Sequence, residues 1–314
     1  MRPPALLRAL SLLTLPLLGC GAADVPCPRP ELGTGTLVIE QLHLAGPSIG
    51  IAKVVHLPDG RRFLVEVGND AHDGAVRDAT DGAVDFVLVT HDDQDHAGGR
   101  EQLADVLEDA TDVSALGVHD LGAGVTLDVF LADGVLALRD GPPPFAPGTA
   151  HEPLDLRTEV DDIDGADNPR SVAAVLRYGD FAWLFAGDLT GGGKGTPDVE
   201  SAVALRGDQL VVPGEIDLVS LNHHGIRSSN NDAWLAWLLP DDRVERHALV
   251  ATSPAYLAAP NEDVLDAIAP RLQGGAVWTG KAGSLTPSEH AALRETGDGV
   301  FVRVDATGWS VCGE

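Results

Sequence analysis

One ten-residue segment constrains this chain more than any other. It reads Thr90-His91-Asp92-Asp93-Gln94-Asp95-His96-Ala97-Gly98-Gly99 and follows directly on the apolar run Phe86-Val87-Leu88-Val89. The run is short, bounded and branched, as a buried strand should be. The loop after it gathers two imidazoles and several carboxylates where alternate side chains can turn toward one point. Mixed nitrogen and oxygen donors of this kind suit Zn²⁺, Mn²⁺ or Fe²⁺. A merely solvated acidic loop would not need two histidines bracketing it, nor a Gly-Gly pair that lets another backbone approach.

Two later segments repeat the arrangement. Gly187-Asp188-Leu189 follows the run Trp183-Leu184-Phe185, and Asn222-His223-His224-Gly225 follows Leu218-Val219-Ser220-Leu221. Taken singly, Asp188 reads as a turn residue and the histidines as polar loop residues. Their recurrence at strand ends makes Asp188, His223 and His224 candidates for the same centre as His91, Asp93, Asp95 and His96.

The rest of the pattern supplies a scaffold. Gly50 to His56 and Arg62 to Val67 flank Leu57-Pro58-Asp59-Gly60 and are expected to form a hairpin. Leu103, Val106 and Leu107 place a helix over Arg100 to Asp109. Further strands are expected at Val125 to Phe130, Gly134 to Leu138, Ser171 to Tyr178 and Phe181 to Phe185. Two strand-helix units follow, Ile216 to Leu221 with Asp232 to Leu239, and Ala248 to Ala251 with Asp263 to Leu272. Strand-rich halves with interspersed helices and no dinucleotide-binding glycine fingerprint favour an α/β (α+β) sandwich of two sheets with helices outside. Asp140 to Pro169 shows no regular element and reads as a rim loop, a lid or a solvated insertion.

The N-terminus reads as an export signal. Arg2 and Arg8 precede an apolar stretch from Ala9 to Leu18, too short to span a bilayer, and Leu17-Leu18-Gly19-Cys20 resembles a bacterial lipobox. This divides the chain into a signal peptide at 1–19, a Pro-, Gly- and Ala-rich tether at 20–35 and a folded domain at 36–314. It also implies a membrane partner through lipid on Cys20 and an exported, envelope-anchored protein. In that compartment the two other cysteines, Cys27 and Cys312, are expected to pair and join the ends of the domain, with two unpaired thiols as the alternative. The formal charge of −27 disfavours nucleic acid as a partner without excluding it, because a bound metal can invert the field locally.

The three ligand-bearing segments together resemble the metallo-β-lactamase superfamily, most closely the hydrolase-like domain of the competence protein ComEC. His91-x-Asp93-x-Asp95-His96 resembles the first motif in its ComEC-like form. The stretch from Asn168-Pro-Arg-Ser171 to Gly187-Asp188-Leu189 resembles the family's Asn-x-x-Ser segment leading to Gly-Asp-Leu, and His223-His224-Gly225-Ile-Arg-Ser228-Ser229 its His-His-Gly-Ser-x-x-Ser. The resemblance implies a four-layer αββα sandwich with metals between the sheet edges. His91 and Asp93 would bind one metal; Asp95, His96 and one of His223/His224 would bind another, with Asp188 bridging. Departures are Glu66 in place of the usual Asp, Leu44-Ala45-Gly46-Pro47-Ser48 in place of an early glycine motif, and Ala258-Ala259-Pro260 in place of Gly-His-Pro. A third histidine for the first metal is missing, which leaves Asn168 or His151 to fill it.

The expected function is hydrolysis of a small phosphodiester or related ester by a water activated on one or two Zn²⁺ ions, with Mn²⁺ also admitted. The histidine of the 223/224 pair that is not a ligand would move protons. The rival reading is an envelope binding protein that keeps the fold and turns nothing over.

Overall fold

The computed structural model describes residues 35–44, 49–165, 167–211, 214–241, 244–252, 259–280, 290–296 and 299–313. The signal, Cys20, nearly all of the tether, Cys27, and the departures at 45–48 and Ala258 lie outside the described residues. Cys312 is disulfide-bonded.

Among the described residues two sheets, of seven and ten strands, stack face to face. The first has seven strands in the order Gly308–Gly313, Gly299–Asp305, Leu37–Leu42, Lys53–His56, Arg62–Val65, Phe86–Leu88 and Thr111–Asp112. The second has ten. From one edge they run Leu293–Glu295, Val277–Thr279, His247–Leu249, Leu218–Ser220, Phe181–Phe185, Ala173–Tyr178, Val125–Ala132, Val135–Leu138 and Glu152–Asp155, with Gly117–Gly122 also pairing Val125–Ala132. The hairpin expected around Leu57-Pro58-Asp59-Gly60 is present, pairing Val55 with Phe63.

Three apolar cores separate four layers. Alternate side chains of the inner strands, including Leu37, Ile39, Val55, Phe63, Leu127, Trp183 and Phe185, fill the space between the sheets. Their neighbours along each strand face outward. On the first sheet's outer face, Val54, Leu64 and Val87 meet Val76 and Ala79 of the helix Asp73–Thr80 and Leu103, Val106 and Leu107 beside it. On the second sheet's outer face, Val175, Leu184 and Val219 meet the helices Val199–Ala204, Asp232–Leu238 and Glu262–Ile268. The architecture is the αββα sandwich.

Two expectations are corrected. The helix placed over Arg100 to Asp109 is broken into a 3₁₀ turn at Gly98–Arg100 and one α-turn at Ala104–Leu107, although its apolar residues still face the core. The stretch Asp140 to Pro169 holds a strand, Glu152–Asp155, at the edge of the second sheet. Pro153 conceals it in the sequence, yet an edge strand tolerates a residue that cannot donate to the ladder.

The site is positioned by parallel pairing. Arg62–Val65 runs parallel to Phe86–Leu88 in one sheet, and Phe181–Phe185, Leu218–Ser220 and His247–Leu249 are mutually parallel in the other. Their C-terminal ends emerge together and carry Glu66, the 90–96 segment, Asp188, the 222–225 segment and Ala251.

Candidate metal centre

Asp95, His96, Asp188 and His224 converge, with one ligand atom from each lying within 4.8 Å of the others. His96 Nε2 is 3.1 Å from Asp188 Oδ1 and 3.6 Å from Asp95 Oδ2, and His224 Nε2 is 3.0 Å from Asp95 Oδ2. His96 and Asp188 are buried, and His96 Nε2 and Asp188 Oδ1 have no hydrogen-bond partner despite their proximity. Lone pairs that face a common point rather than each other are what a cation needs. Ligands on a tetrahedral ion with bonds of about 2.0–2.2 Å stand roughly 3.3–3.6 Å apart, close to these separations. Two imidazoles and two carboxylates form a donor set suited to zinc.

All four histidines of the region are held by Nδ1, leaving Nε2 toward the carboxylates. His96 Nδ1 is ion-paired with Glu66 Oε1 at 3.1 Å and lies 3.5 Å from Thr90 Oγ1, and His224 Nδ1 donates to the Ala251 carbonyl at 3.0 Å. His223 Nδ1 meets Ser228 Oγ at 3.0 Å, and His91 Nδ1 meets Thr90 Oγ1 at 3.0 Å and Ser171 Oγ at 3.4 Å. The Thr90 hydroxyl is itself spent on Glu66 Oε1 at 2.6 Å, while the Thr90 N–H reaches Glu66 Oε2 at 3.0 Å, so His91 Nδ1 carries the proton it shares with Thr90. Anchoring one ring nitrogen fixes the tautomer and presents the other as a ligand.

The backbone does unusual work to achieve this. Glu66, His223 and His224 adopt left-handed conformations with φ of 63°, 49° and 55°. For residues with a Cβ this costs about 1–2 kcal/mol each, strain that concentrates at functional sites. Gly187 is left-handed as well, and a Cβ there would come within 2.3 Å of Thr90 Oγ1. Ser171, from the Asn168-Pro-Arg-Ser171 motif, accepts the Asp188 N–H on its hydroxyl at 3.2 Å.

The carboxylates and imidazoles also shift one another's protonation, and a cation would take the place of the proton on His96 Nε2. Burial would lower the His96 imidazole, but the Asp188 and Glu66 carboxylates outweigh it and hold it well above the ordinary value. Burial opposes ionisation of Asp188, yet His96, His224 and His223 hold it low. Asp95 is likewise low against its burial, chiefly through the His224 bond. Burial lowers His223.

The remaining candidates divide. His91 Nε2 is buried, has no hydrogen-bond partner and lies 3.5 Å from Asp93 Oδ2, and the His91 and His96 rings are 4.1 Å apart. His223 adjoins the other oxygen of Asp188, with Nε2 3.5 Å from Oδ2, and Asn168 Nδ2 is 3.4 Å from that same nitrogen. His224 is therefore the member of the pair that joins Asp95 and His96. His151 does not approach. It precedes Glu152, which pairs with Leu138, whereas Asp155 pairs with Val135 at the end of the sheet nearer the site. His151 lines a separate surface hollow with Arg139, Asp140 and Gln209, so it does not fill the place of the missing third histidine.

Glu66 stands out in the sequence only as a departure from the family the chain resembles, and nothing in the local pattern marks Thr90, Ser171 or Ser228. Lys53 is equally unmarked, yet it lines a small cavity with Glu66, His96, Gly187 and His224.

Neither a protein-family model nor a curated protein matches the chain. Among solved structures, similar folds include the metallo-beta-lactamase fold protein YhfI from Bacillus subtilis, at 10% identity over 79% of this chain and 97% of that one, with a TM-score of 0.44. They also include Zn²⁺-bound PqqB from Methylobacterium extorquens, at 12% identity over 78% and 98% with a TM-score of 0.42. A diphosphatase from the PhnP family matches at 13% identity over 85% and 97%, with a TM-score of 0.40. The centre itself is defined by this chain's own side chains: two imidazoles and two carboxylates facing one point, each ring fixed from behind.

Proposed function

We propose that this chain is a metal-dependent hydrolase of the metallo-β-lactamase fold, acting on a small phosphodiester or related ester. The observation that carries the reading is the set of histidines held at Nδ1 with Nε2 turned toward Asp95 and Asp188. A divalent ion held by Asp95, His96, Asp188 and His224 would supply Lewis acidity and an activated water.

The protein's own groups account for the remaining tasks. Glu66 and the Ala251 carbonyl keep His96 and His224 in the ligating tautomer. His223 lies outside the four-ligand set, with its side chain 13% exposed and Nε2 facing Asp188, and is assigned the proton transfer to the leaving group. Ser228 steadies its ring. The acidic surface supports a small substrate over a polynucleotide. The ComEC-like relation, lipid attachment at Cys20 and an envelope location belong to the same proposal and rest on the sequence motifs. No helix among the described residues is long and apolar enough to cross a membrane.

The test is metal content by elemental analysis together with hydrolysis of bis-p-nitrophenyl phosphate before and after chelation. Asp95→Ala should lose metal and turnover together. His223→Gln should keep near-normal zinc and lose about 10²–10⁴-fold in rate, the range of a general acid–base group. Bound zinc without turnover on any ester would leave the envelope binding protein as the reading.

A further inference from the structure

Glu200 is a fully buried carboxylate with no place in the chemistry above. It lies in the first turn of the helix Val199–Ala204, in the outer layer behind the second sheet. Its backbone N–H donates to the Thr190 carbonyl at 3.0 Å, two residues beyond Asp188. Its side chain reaches the other ligand-bearing segment. Oε1 accepts from Asn222 Nδ2 and from the Asn230 N–H, and Oε2 accepts from the Asn231 N–H, each at 2.7 Å.

These contacts close the neck of one loop. Asn222 and Asn230 bracket the turn that carries His223 and His224, and they also bind each other twice: Asn222 N–H to Asn230 Oδ1, and Asn230 Nδ2 to the Asn222 carbonyl, both at 2.9 Å. Three residues of the loop, His223, His224 and Asn230, have left-handed backbones without being glycine. Such a conformation persists only where the surroundings over-determine it. The fit is also tight on the other side, since a Cβ on Gly191 would fall 2.3 Å from Glu200 Oε2. Burial pushes the Glu200 carboxyl up to about 7 in spite of three N–H donors. Asp198 at the helix N-terminus adds a smaller push in the same direction. A buried, perturbed carboxylate is a candidate for a functional task.

We propose that Glu200 is a positioning residue for the metal centre: it ties the Asp188 segment to the His223–His224 turn and holds both in ligating geometry before the ion arrives. The inference rests on the reading of Asp95, His96, Asp188 and His224 as metal ligands. Glu200 touches none of these and acts through Asn222, Asn230, Asn231 and Thr190. By linkage, a clamp that favours zinc must be favoured by zinc.

The experiment measures zinc affinity of the full chain by competition with a chromophoric chelator, and the visible spectrum of the Co²⁺-loaded protein. Glu200→Gln turns an amide toward a donor that needs an acceptor and should weaken zinc binding about 10-fold or more, as loss of groups supporting metal ligands does, and alter the Co²⁺ bands. Leu265→Ala, in the same helical layer, serves as a purely structural control and should lower the melting temperature while leaving affinity and spectrum near wild type. Equal loss of affinity in both variants, or none in Glu200→Gln, overturns the proposal. Should Glu200→Gln not fold, hydrogen exchange of the Asn230 and Asn231 amides in the wild-type protein decides. Their protection should rise when zinc is added, and unchanged protection overturns the clamp. A wild-type protein that binds no zinc removes the metal-centre reading and this inference with it.

Discussion

Lys53 offers the sharpest quantitative test of how the site is built. It opens the strand Lys53–His56, is 6% exposed, and shares its small cavity with Glu66, His96 and His224. Burial pulls its ammonium down from 10.5 to about 8, against the opposing pull of Glu66 and Asp188. A fall of about 2.5 units corresponds to about 3 kcal/mol of destabilisation whenever the group is charged in both folded and unfolded chains. Because the folded value is the lower one, the penalty is complete below pH 8, shrinks between 8 and 10.5, and vanishes above. Lys53→Met should therefore stabilise the metal-free protein at pH 7 by up to about 3 kcal/mol, with a gain that closes as the pH is raised toward 10. Urea unfolding of both proteins in excess chelator at pH 7, 8.5 and 10 reads this directly. A variant less stable than wild type at pH 7, or a difference that does not narrow with pH, would refute the reasoning and mark Lys53 as a net stabilising partner of the carboxylates.

Three further outcomes follow from the geometry. Glu66→Gln should weaken zinc binding about 10–100-fold by chelator competition, because His96 loses its charged partner. Gly187→Ala should lower both melting temperature and zinc affinity, since the new methyl would meet Thr90 Oγ1 in a left-handed backbone. Asp128→Ala should cost about 3–5 kcal/mol in urea unfolding by leaving the buried Arg139 guanidinium, 2.8 Å away, without its counter-charge. That last change should leave zinc affinity intact, since Asp128 and Arg139 stand apart from the metal centre.

The sequence carried the site's ligands better than their supports. His91, Asp93, Asp95 and His96 were legible as candidates because a strand of apolar residues ends where they begin, and Asp188 because the same pattern recurs; of these the structure brings Asp95, His96 and Asp188 to one point with His224. Which of His223 and His224 faces Asp95 was not legible. Adjacent side chains on an irregular turn are aimed by φ and ψ, and nothing in His-His announces two successive left-handed residues. Glu66 was visible only as a substitution. Its backbone at φ 63° and one extra methylene together deliver a carboxylate to His96 Nδ1, and no local pattern encodes that. His151 misled for the complementary reason: a histidine in an unpatterned stretch has no position until the edge strand beside it is known. The alternation that marks inner strands also fails at Glu152–Asp155, where an edge requires so little of its residues.

The order of strands in the first sheet has a consequence for synthesis. Leu37–Leu42 takes Gly299–Asp305, a strand made long after it, as one of its two neighbours. Until Gly299–Asp305 has been made, the early strand has an unpaired row of amides and carbonyls beside Leu37, Val38 and Ile39, all buried in the folded protein. Contacts of such long sequence separation form slowly, and an apolar edge left waiting is a template for aggregation. Shortening the hairpin of Gly299–Asp305 and Gly308–Gly313 should therefore cause aggregation during refolding more readily than a comparable deletion at a surface loop.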